Sequence, residues 1–415
     1  MNGISPVTSQ TQLLSDEEEN AVARKNVLLY LLCQALGAAS APINIALGGL
    51  VGHHLLGEDK SLATLPVTAY NLGVVIGAII ANAIMRQVGR KLGFMAGCAI
   101  GLGGTIFTGL AITAESFAMF CSALCVNGVS SGFVQQYRFA AADRGTPEYK
   151  PKAISTILLG GVAAAVIGPQ LVIYATDLAA PVPFAGAFYA ASILFVLSFF
   201  ALSFLNPSNL QMQQSEAVET PASRSLMEIG LQPKFAIAVL CGTATYALMS
   251  FVMTAAPLAM VGHGHSHDHS TLGIQWHVMA MFAPSIVTGS LIARFGKETI
   301  VVAGLLILVA CGAVALAGYE LMHFWGSLVL LGIGWNFGFI GATAMVTDTY
   351  APHEKNKAQG LNDFILFGSV AVASFMSGLT LNAYGWEFLN GVIFPVVAVC
   401  FLGLGWLRVT KRSAV

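Results

Sequence analysis

Long apolar runs recur along this chain, and they constrain the fold more than any other feature. Twelve stretches of mostly apolar residues are separated by short polar breaks, and a helix needs roughly 20 such residues to cross the ~30 Å hydrocarbon layer of a membrane. With 56% hydrophobic and only 9% charged residues, a water-soluble fold would be unusual. Because the strands of membrane barrels alternate in hydrophobicity and these runs do not, the sequence predicts an all-α membrane protein.

The predicted membrane helices are numbered 1 to 12 in chain order. Helices 1 to 6 are predicted at about 26–52, 62–86, 91–113, 116–139, 152–176 and 184–205, and helices 7 to 12 at about 234–261, 272–293, 297–319, 322–348, 356–382 and 386–408. The polar, unperiodic stretch 206–233 is the only long linker, so it divides the chain into six-helix bundles at 26–205 and 234–408. Residues 1–25 and 409–415 are predicted to be cytoplasmic tails.

The distribution of basic residues predicts the orientation, since cytoplasmic loops collect Lys and Arg. If the amino terminus is cytoplasmic, 18 of the 19 Lys and Arg residues fall on the cytoplasmic side, and only Lys60 falls outside. One helix too many or too few would move the basic residues of all later loops to the other side of the membrane. The sequence therefore predicts a multi-pass protein of the bacterial inner membrane with both termini in the cytoplasm.

The two bundles repeat each other in sequence. A set of residues after helix 4 recurs after helix 10 with identical internal spacing: Asp143, Pro147, Lys150, Lys152 and Ala153 match Asp348, Pro352, Lys355, Lys357 and Ala358. A second match follows helices 2 and 8, where Val88, Gly89 and Arg90 correspond to Phe295, Gly296 and Lys297. Duplicated bundles of this kind place the substrate near the bilayer midplane between the halves.

These loops resemble those of the major facilitator superfamily, which implies its twelve-helix fold. Gly89, Arg90 and Lys91 resemble the end of the family's loop signature, and Gly289, Leu291, Arg294, Gly296 and Lys297 resemble its second copy. The family's usual Asp is replaced by Arg86 in one half and Ala293 in the other. In helix 5, Gly160, Gly161, Gly168 and Pro169 partly resemble the motif of facilitator antiporters. Small residues also let helices pack closely in any membrane bundle, so a proton-coupled efflux carrier is only an alternative.

Helices 7 and 8 carry two pairs of residues that could bind a soft metal. Met249 and Met253 are four residues apart, as are His277 and Met281, and residues at this spacing share a helical face. Thioether sulfur suits Cu(I), and imidazole binds copper in either oxidation state. On spacing alone, methionine that fills gaps in an apolar core is the commoner explanation.

The same pattern, with Gln275 and Trp276 just before the histidine, resembles the CcoA-like copper importers of the CalT family. That resemblance implies import of copper by alternating access to supply cytochrome oxidase assembly, with Met249, Met253, His277 and Met281 as ligands. It also implies exchange with a periplasmic or cytoplasmic copper chaperone, and an auxiliary role for Cys241. The same family includes riboflavin importers, so import of riboflavin or another small organic molecule remains the alternative. No enzyme activity, resident cofactor or nucleic-acid partner is expected.

A histidine-rich tract lies between helices 7 and 8, on the predicted periplasmic side. It contains His263, His265, His267 and His269. Alternating histidines in a short flexible loop are typical of metal binding, so the tract could collect copper at the entrance. A solvated polar loop is an equally good interpretation.

Three charged residues near the cytoplasmic ends of helices are candidates for gating. Arg138 ends helix 4, where the second half has Thr343 instead. Snorkelling of its side chain to the headgroups is the simplest explanation, and gating or contact with an anionic or aromatic substrate is the functional one. Asp143 and Asp348 could couple transport to protons, or could anchor helix ends and loops. In helix 10, Trp335 and Asn336 could face a central cavity.

Overall fold

The computed structural model describes residues 16–141, 143, 149–206 and 224–413, and the regular structure within these ranges is helical. Helices 1 to 6 are formed by Asp16–Ala38 with Ser40–Leu55, by Leu65–Thr113, which holds helices 2 and 3, by Phe117–Val134 with Tyr137–Ala140, by Lys150–Ala175 and by Ala185–Ser203. Helices 7 to 12 are formed by Pro233–Gly262, His267–Phe282 with Ser285–Phe295, Lys297–Leu316, Leu321–Val346, Lys355–Gly391, which holds helix 11 and, after a break at Gly385, the start of helix 12, and Ile393–Ser413. Short helices cover Thr176–Ala179, Leu226–Gly230 and Pro352–Glu354.

The number of membrane crossings agrees with the predicted twelve. In the described ranges, nine helices are long and apolar enough to cross a membrane, and the bent pair His267–Phe282 and Ser285–Phe295 makes ten. The 49-residue helix Leu65–Thr113 contains two crossings because Gly89 breaks it, and Ile393–Val409 is a further, shorter apolar helix. The all-α fold of twelve crossings is confirmed.

The internal duplication reappears as a matched pair of helix junctions. Gly89 and Gly296 have φ angles of 81° and 86°, which favour glycine because a side chain is strained there. The basic residue that follows each glycine binds an aspartate at the end of the half's fourth helix. Arg90 Nε lies 2.6 Å from Asp143, and Lys297 Nζ lies 2.5 Å from Asp348, which Lys234 also contacts at 3.0 Å.

Some predicted boundaries differ from the structure. Helix 1 begins at Asp16, so residues 16–25 of the predicted tail are helical, and residues 1–15 lie outside the described ranges. The predicted linker 206–233 contains the helix Leu226–Gly230, which Ser225 and Glu228 close with a reciprocal capping box. Residues 207–223 of the linker are not among the described ones. Helix 12 continues to Ser413, beyond the predicted start of the tail at 409.

The carboxyl-terminal end of the linker is fixed to the second half by one buried carboxylate. Glu354 accepts hydrogen bonds from Arg224 Nε at 2.8 Å and Nη2 at 2.6 Å, and from the Arg224 backbone N–H at 3.0 Å. The backbone N–H of Ala351 donates to the same carboxylate at 3.1 Å. The Arg224 side chain first, and these backbone donors after it, lower the pKa of Glu354. The amino-terminal end of the linker is likewise fixed to the first half, because Asn26 Nδ2 donates to the carbonyl of Asn206 at 2.8 Å.

The two halves pack through the helix pairs 1 and 7, 2 and 11, and 5 and 8. The end of the bundle that carries Asp16, Arg90 and Lys297 is called the basic side. The opposite end, which carries His263 to His269, is called the His-rich side.

Candidate substrate site between the two halves

A group of five aromatic side chains lies near the middle of the helices of the second half, and it is called the aromatic cluster. Its members are Tyr246 of helix 7, Phe282 of helix 8, Trp335 and Phe339 of helix 10, and Phe367 of helix 11. The Tyr246 ring lies 5.3, 5.1 and 6.1 Å from the rings of Trp335, Phe339 and Phe367, respectively. Trp335 and Phe339 stack at 5.1 Å with their planes 16° apart. Such a surface suits a planar aromatic molecule.

Trp335 brings an unsatisfied hydrogen-bond donor into this cluster. Its side chain is 7% exposed, and its Nε1 is buried without a hydrogen-bond partner. A buried indole N–H normally finds a partner, and leaving one unpaired costs about 1–3 kcal/mol. An acceptor oxygen on a bound molecule would remove that penalty.

The first half faces this cluster across the interface. A methyl group added at Gly161 of helix 5 would lie 3.3 Å from the Phe282 ring, so the absence of a side chain lets the two helices approach. Tyr70 of helix 2 and Arg138 of helix 4 both lie near Tyr246. The cluster therefore meets the first half at Phe282 and at Tyr246.

Arg138 also faces an acid that the sequence analysis did not consider. Its guanidinium group lies over the Phe139 ring at 4.7 Å and interacts electrostatically with Asp363 of helix 11. Asp363 is exposed, and Asn362 Nδ2 donates to its carboxylate at 3.0 Å. Arg138 thus faces Tyr246 and Asp363 of the other half. This position differs from the predicted one, in which the side chain snorkels to the lipid headgroups. The position of Asp363 two turns inside a predicted membrane helix was a sequence signal for it.

On the His-rich side, polar side chains join the two halves. Gln170 Nε2 of helix 5 donates to Gln275 Oε1 of helix 8 at 2.9 Å. Thr64 and Thr68 of the helix 2 end each donate to Ser374 of helix 11 at 3.4 Å. These hydrogen bonds connect helix 5 to helix 8 and helix 2 to helix 11. The bundle is therefore held closed at this end.

The residues predicted to bind copper are all buried in the second half. Met249, Met253 and Met281 are 2%, 6% and 7% exposed and belong to one hydrophobic core, and His277 is fully buried. His277 Nδ1 lies 2.8 Å from the carbonyl of Leu328, which makes Nδ1 the donor and leaves a lone pair on Nε2. Nε2 is buried without a partner.

The histidine tract is more ordered than the predicted loop. His267 and His269 belong to the first turn of helix 8. Each histidine of the tract contacts an aromatic side chain: His263 stacks on Tyr319 at 4.3 Å, His265 lies against Phe324, His267 against Phe184 and His269 against Trp325. Among the described residues, no three His, Cys, Asp or Glu side chains form a group that could hold a metal ion.

Three other predicted site residues, Asp143, Asp348 and Cys241, make contacts within their own half in this structure. Asp143 and Asp348 hold the basic residues of the two helix junctions. Partial burial of Asp348 would raise its pKa, but hydrogen bonds from Lys297 and Lys234 outweigh that effect and lower it. Cys241 is fully buried and contacts the thiol of Cys400 in helix 12.

Asn336 lies beside the aromatic cluster but faces helix 8 instead of the cavity. It is fully buried, and its Nδ2 donates to the carbonyl of Met281 and to Ser285 Oγ, each at 2.7 Å. Thr288 Oγ1 donates to its Oδ1 at 2.6 Å. Helix 8 bends by 40° between these residues, at Pro284. Asn336 therefore replaces backbone partners that the bend removes.

Two duplicated six-helix halves that meet around a central aromatic surface define a multi-pass membrane carrier. The sequence profile of the Major Facilitator Superfamily matches residues 27–318 and 278–415 of this chain, and the chain belongs to that superfamily.

Two relatives are similar over nearly their whole length. The riboflavin transporter RfnT of Brucella anthropi is 49% identical over 392 residues, which cover 94% of this chain and 98% of the relative. The uncharacterized MFS-type transporter YddS of Bacillus subtilis is 28% identical over 98% of this chain and 97% of the relative. Among solved structures, the nucleoside transporter NupG gives a TM-score of 0.69 at 13% identity, covering 91% of this chain and 98% of that one.

These similarities establish the membrane transport class and the superfamily, and they establish that the protein is not an enzyme. They do not support the predicted copper cargo, because the 49% identical relative is named for riboflavin. The role of each predicted ligand remains a prediction.

Proposed function

We propose that this protein imports riboflavin across a bacterial inner membrane by alternating access. The observation that carries the proposal is the 49% identity, over nearly the whole of both chains, to a protein named as a riboflavin transporter. This identity favours an organic cargo over the copper that the methionine and histidine spacing suggests.

The aromatic cluster fits such a cargo chemically. Riboflavin consists of a planar three-ring system with carbonyl oxygens on one edge and a chain of hydroxyl groups. The rings of Tyr246, Trp335 and Phe339 supply flat apolar surface, and the unpaired Nε1 of Trp335 supplies a donor for a carbonyl oxygen.

The orientation in the membrane determines which side this structure closes. Because Lys and Arg collect in cytoplasmic loops, the basic side faces the cytoplasm and the His-rich side faces the periplasm. The structure then corresponds to a state closed to the periplasm by the Gln170, Gln275 and Ser374 contacts. Uptake requires these weak contacts to break, so that the halves rock apart and admit the cargo from outside.

Uptake in a riboflavin auxotroph tests this proposal. A bacterial strain that cannot make riboflavin and has no importer of its own should grow on low external riboflavin, and should accumulate radiolabelled riboflavin, when it produces this protein. Tyr246→Ala, which removes the centre of the aromatic cluster, should reduce the initial uptake rate at least tenfold. The matched control is Tyr384→Ala, because Tyr384 is 67% exposed, and uptake should stay within twofold of the native rate. Absence of uptake by native protein that is present in the membrane would refute the proposal.

Copper remains a second candidate cargo because of one observation. A fully buried histidine with an anchored Nδ1 and a free Nε2 lone pair has the features of a metal ligand, and the three predicted methionine ligands are buried in the hydrophobic core of the same half. Cellular copper measured in the same cultures separates the cargoes. If copper accumulation rises with the native protein and falls with His277→Gln while riboflavin uptake is absent, copper replaces riboflavin as the cargo.

A further inference from the structure

Arg138 and Asp363 are charges that the duplication does not share between the two halves. The shift of 205 residues that relates the halves pairs Arg138 with Thr343 and pairs Asp363 with Leu158. A charged residue inside a membrane helix is costly and usually faces a cavity or a partner. The first half therefore carries a positive charge, and the second half a negative charge, that the other half lacks at the equivalent position.

The structure places these two charges opposite each other. They interact electrostatically across the two halves, from helix 4 to helix 11. Both side chains are exposed, and the two do not form a direct salt bridge. Opposite charges that are not directly paired can each bind a polar group of a bound molecule.

The pair is continuous with the aromatic cluster. Arg138 lies near Tyr246, whose ring is 6.1 Å from that of Phe367. Phe367 lies four residues after Asp363, hence on the same face of helix 11. The site thus combines a flat apolar surface, a set of guanidinium donors and one carboxylate acceptor. Its two charges cancel.

We propose, building on the riboflavin function above, that Arg138 and Asp363 make this site selective for an uncharged flavin against its 5′-phosphate. Arg138 donates to carbonyl oxygens of the ring system, and Asp363 accepts from hydroxyl groups of the side chain. A phosphate group adds about 1.5 to 2 negative charges at neutral pH. The single cation cannot balance both that group and Asp363, so the carboxylate repels the phosphorylated molecule.

Competition against labelled riboflavin in proteoliposomes tests the proposal, with riboflavin 5′-phosphate as the competitor. For the native protein, half-inhibition should need at least about 30 times more of the phosphate than of unlabelled riboflavin. Asp363→Asn keeps the size and polarity of the side chain but removes its charge, and should narrow that ratio at least tenfold. Arg138→Gln removes the positive charge that attracts the phosphate, so it should increase the ratio of the two half-inhibiting concentrations. Because each ratio comes from one preparation, it does not depend on the amount of folded protein.

Two controls separate charge in the site from other causes. Glu387→Gln removes an exposed negative charge of helix 12 and should leave the ratio within twofold of the native value. On the native protein, the uncharged 5′-acetate ester of riboflavin should compete nearly as well as riboflavin, although it is also enlarged at the 5′ position.

The proposal is overturned if the ester is excluded like the phosphate, because size would then explain the selectivity. It is also overturned if Asp363→Asn leaves the ratio unchanged. In both cases the riboflavin function would stand, since native uptake is measured in the same experiment. If native protein takes up no riboflavin, the function and this inference fail together.

Discussion

At the scale of single residues, unsatisfied polar atoms identify two side chains of the second half that a cargo could bind. Asn336 and Glu354 have their hydrogen-bonding atoms paired with neighbours. Trp335 Nε1 and His277 Nε2 are buried without partners. A protein can retain an unpaired buried group where a ligand pairs with it during function.

Replacement of Trp335 by Phe tests the role of this unpaired donor. The change keeps an aromatic ring in the cluster but removes the N–H, so one hydrogen bond to the cargo, about 1 kcal/mol net, is lost. The apparent KM for riboflavin uptake should rise roughly fivefold. The thermal unfolding midpoint without riboflavin should change little, since the native protein has no hydrogen bond to lose there. A large loss of stability with an unchanged KM would make Trp335 a packing residue.

At the scale of elements, the bend of helix 8 determines the position of Phe282. Pro284 cannot donate a backbone hydrogen bond, so the helix is interrupted between Phe282 and Ser285. Asn336 of helix 10 then holds both sides of the interruption through Met281 and Ser285. The bend places the Phe282 ring against Trp335 at 6.3 Å and opposite Gly161 of the first half.

Asn336→Leu should destabilise the protein by about 2–4 kcal/mol, because it leaves the Met281 carbonyl and the Ser285 hydroxyl group without this partner and removes one acceptor of the Thr288 hydroxyl group. The measurement is thermal unfolding in detergent, with uptake of riboflavin as a second readout. Asn82→Leu provides the control, since Asn82 is exposed and bonds only within its own helix, to the Ala78 carbonyl. Equal effects of the two substitutions would contradict the role given to Asn336.

At the scale of the whole molecule, the closed His-rich side depends on a few polar contacts. The hydrogen bonds of Gln170 and of Thr64 and Thr68 join side chains to helices of the other half. Each such bond contributes about 1 kcal/mol or less in a membrane bundle. An interface of this kind can open and close reversibly, whereas the ion pairs at the helix junctions lie within each half and move with it.

A disulfide across the periplasmic end should stop transport. Thr68 Oγ1 lies 3.4 Å from Ser374 Oγ, so Thr68→Cys with Ser374→Cys, in a background without the seven native cysteines, should form a bond on oxidation. Riboflavin uptake should fall by at least 90%, and a reducing agent should restore it. Thr108→Cys with Asn127→Cys joins two helices of one half, whose side chains lie 3.0 Å apart, and should leave uptake unchanged. Native uptake by fully cross-linked protein would refute alternating access through this end.

The class of protein could be predicted from the sequence because its signals are local or periodic. Apolar runs specify helices that can cross a bilayer, loop charges specify their orientation, and the repeated Gly89 and Gly296 junctions identify two equivalent halves. The candidate substrate site could be predicted less well in this way. Spacing on single helices identified Met249 and His277, whereas the aromatic cluster draws on helices 7, 8, 10 and 11.

The sequence by itself determined how many helices cross the membrane and where the chain is duplicated, since burial in lipid requires each segment to satisfy its own backbone. Only the tertiary structure decided which side chains meet between the halves. Arg138 and Asp363 are 225 residues apart in the chain, and no local pattern relates them. Their encounter depends on how two separately folded bundles pack, which is a property of surfaces and not of spacing.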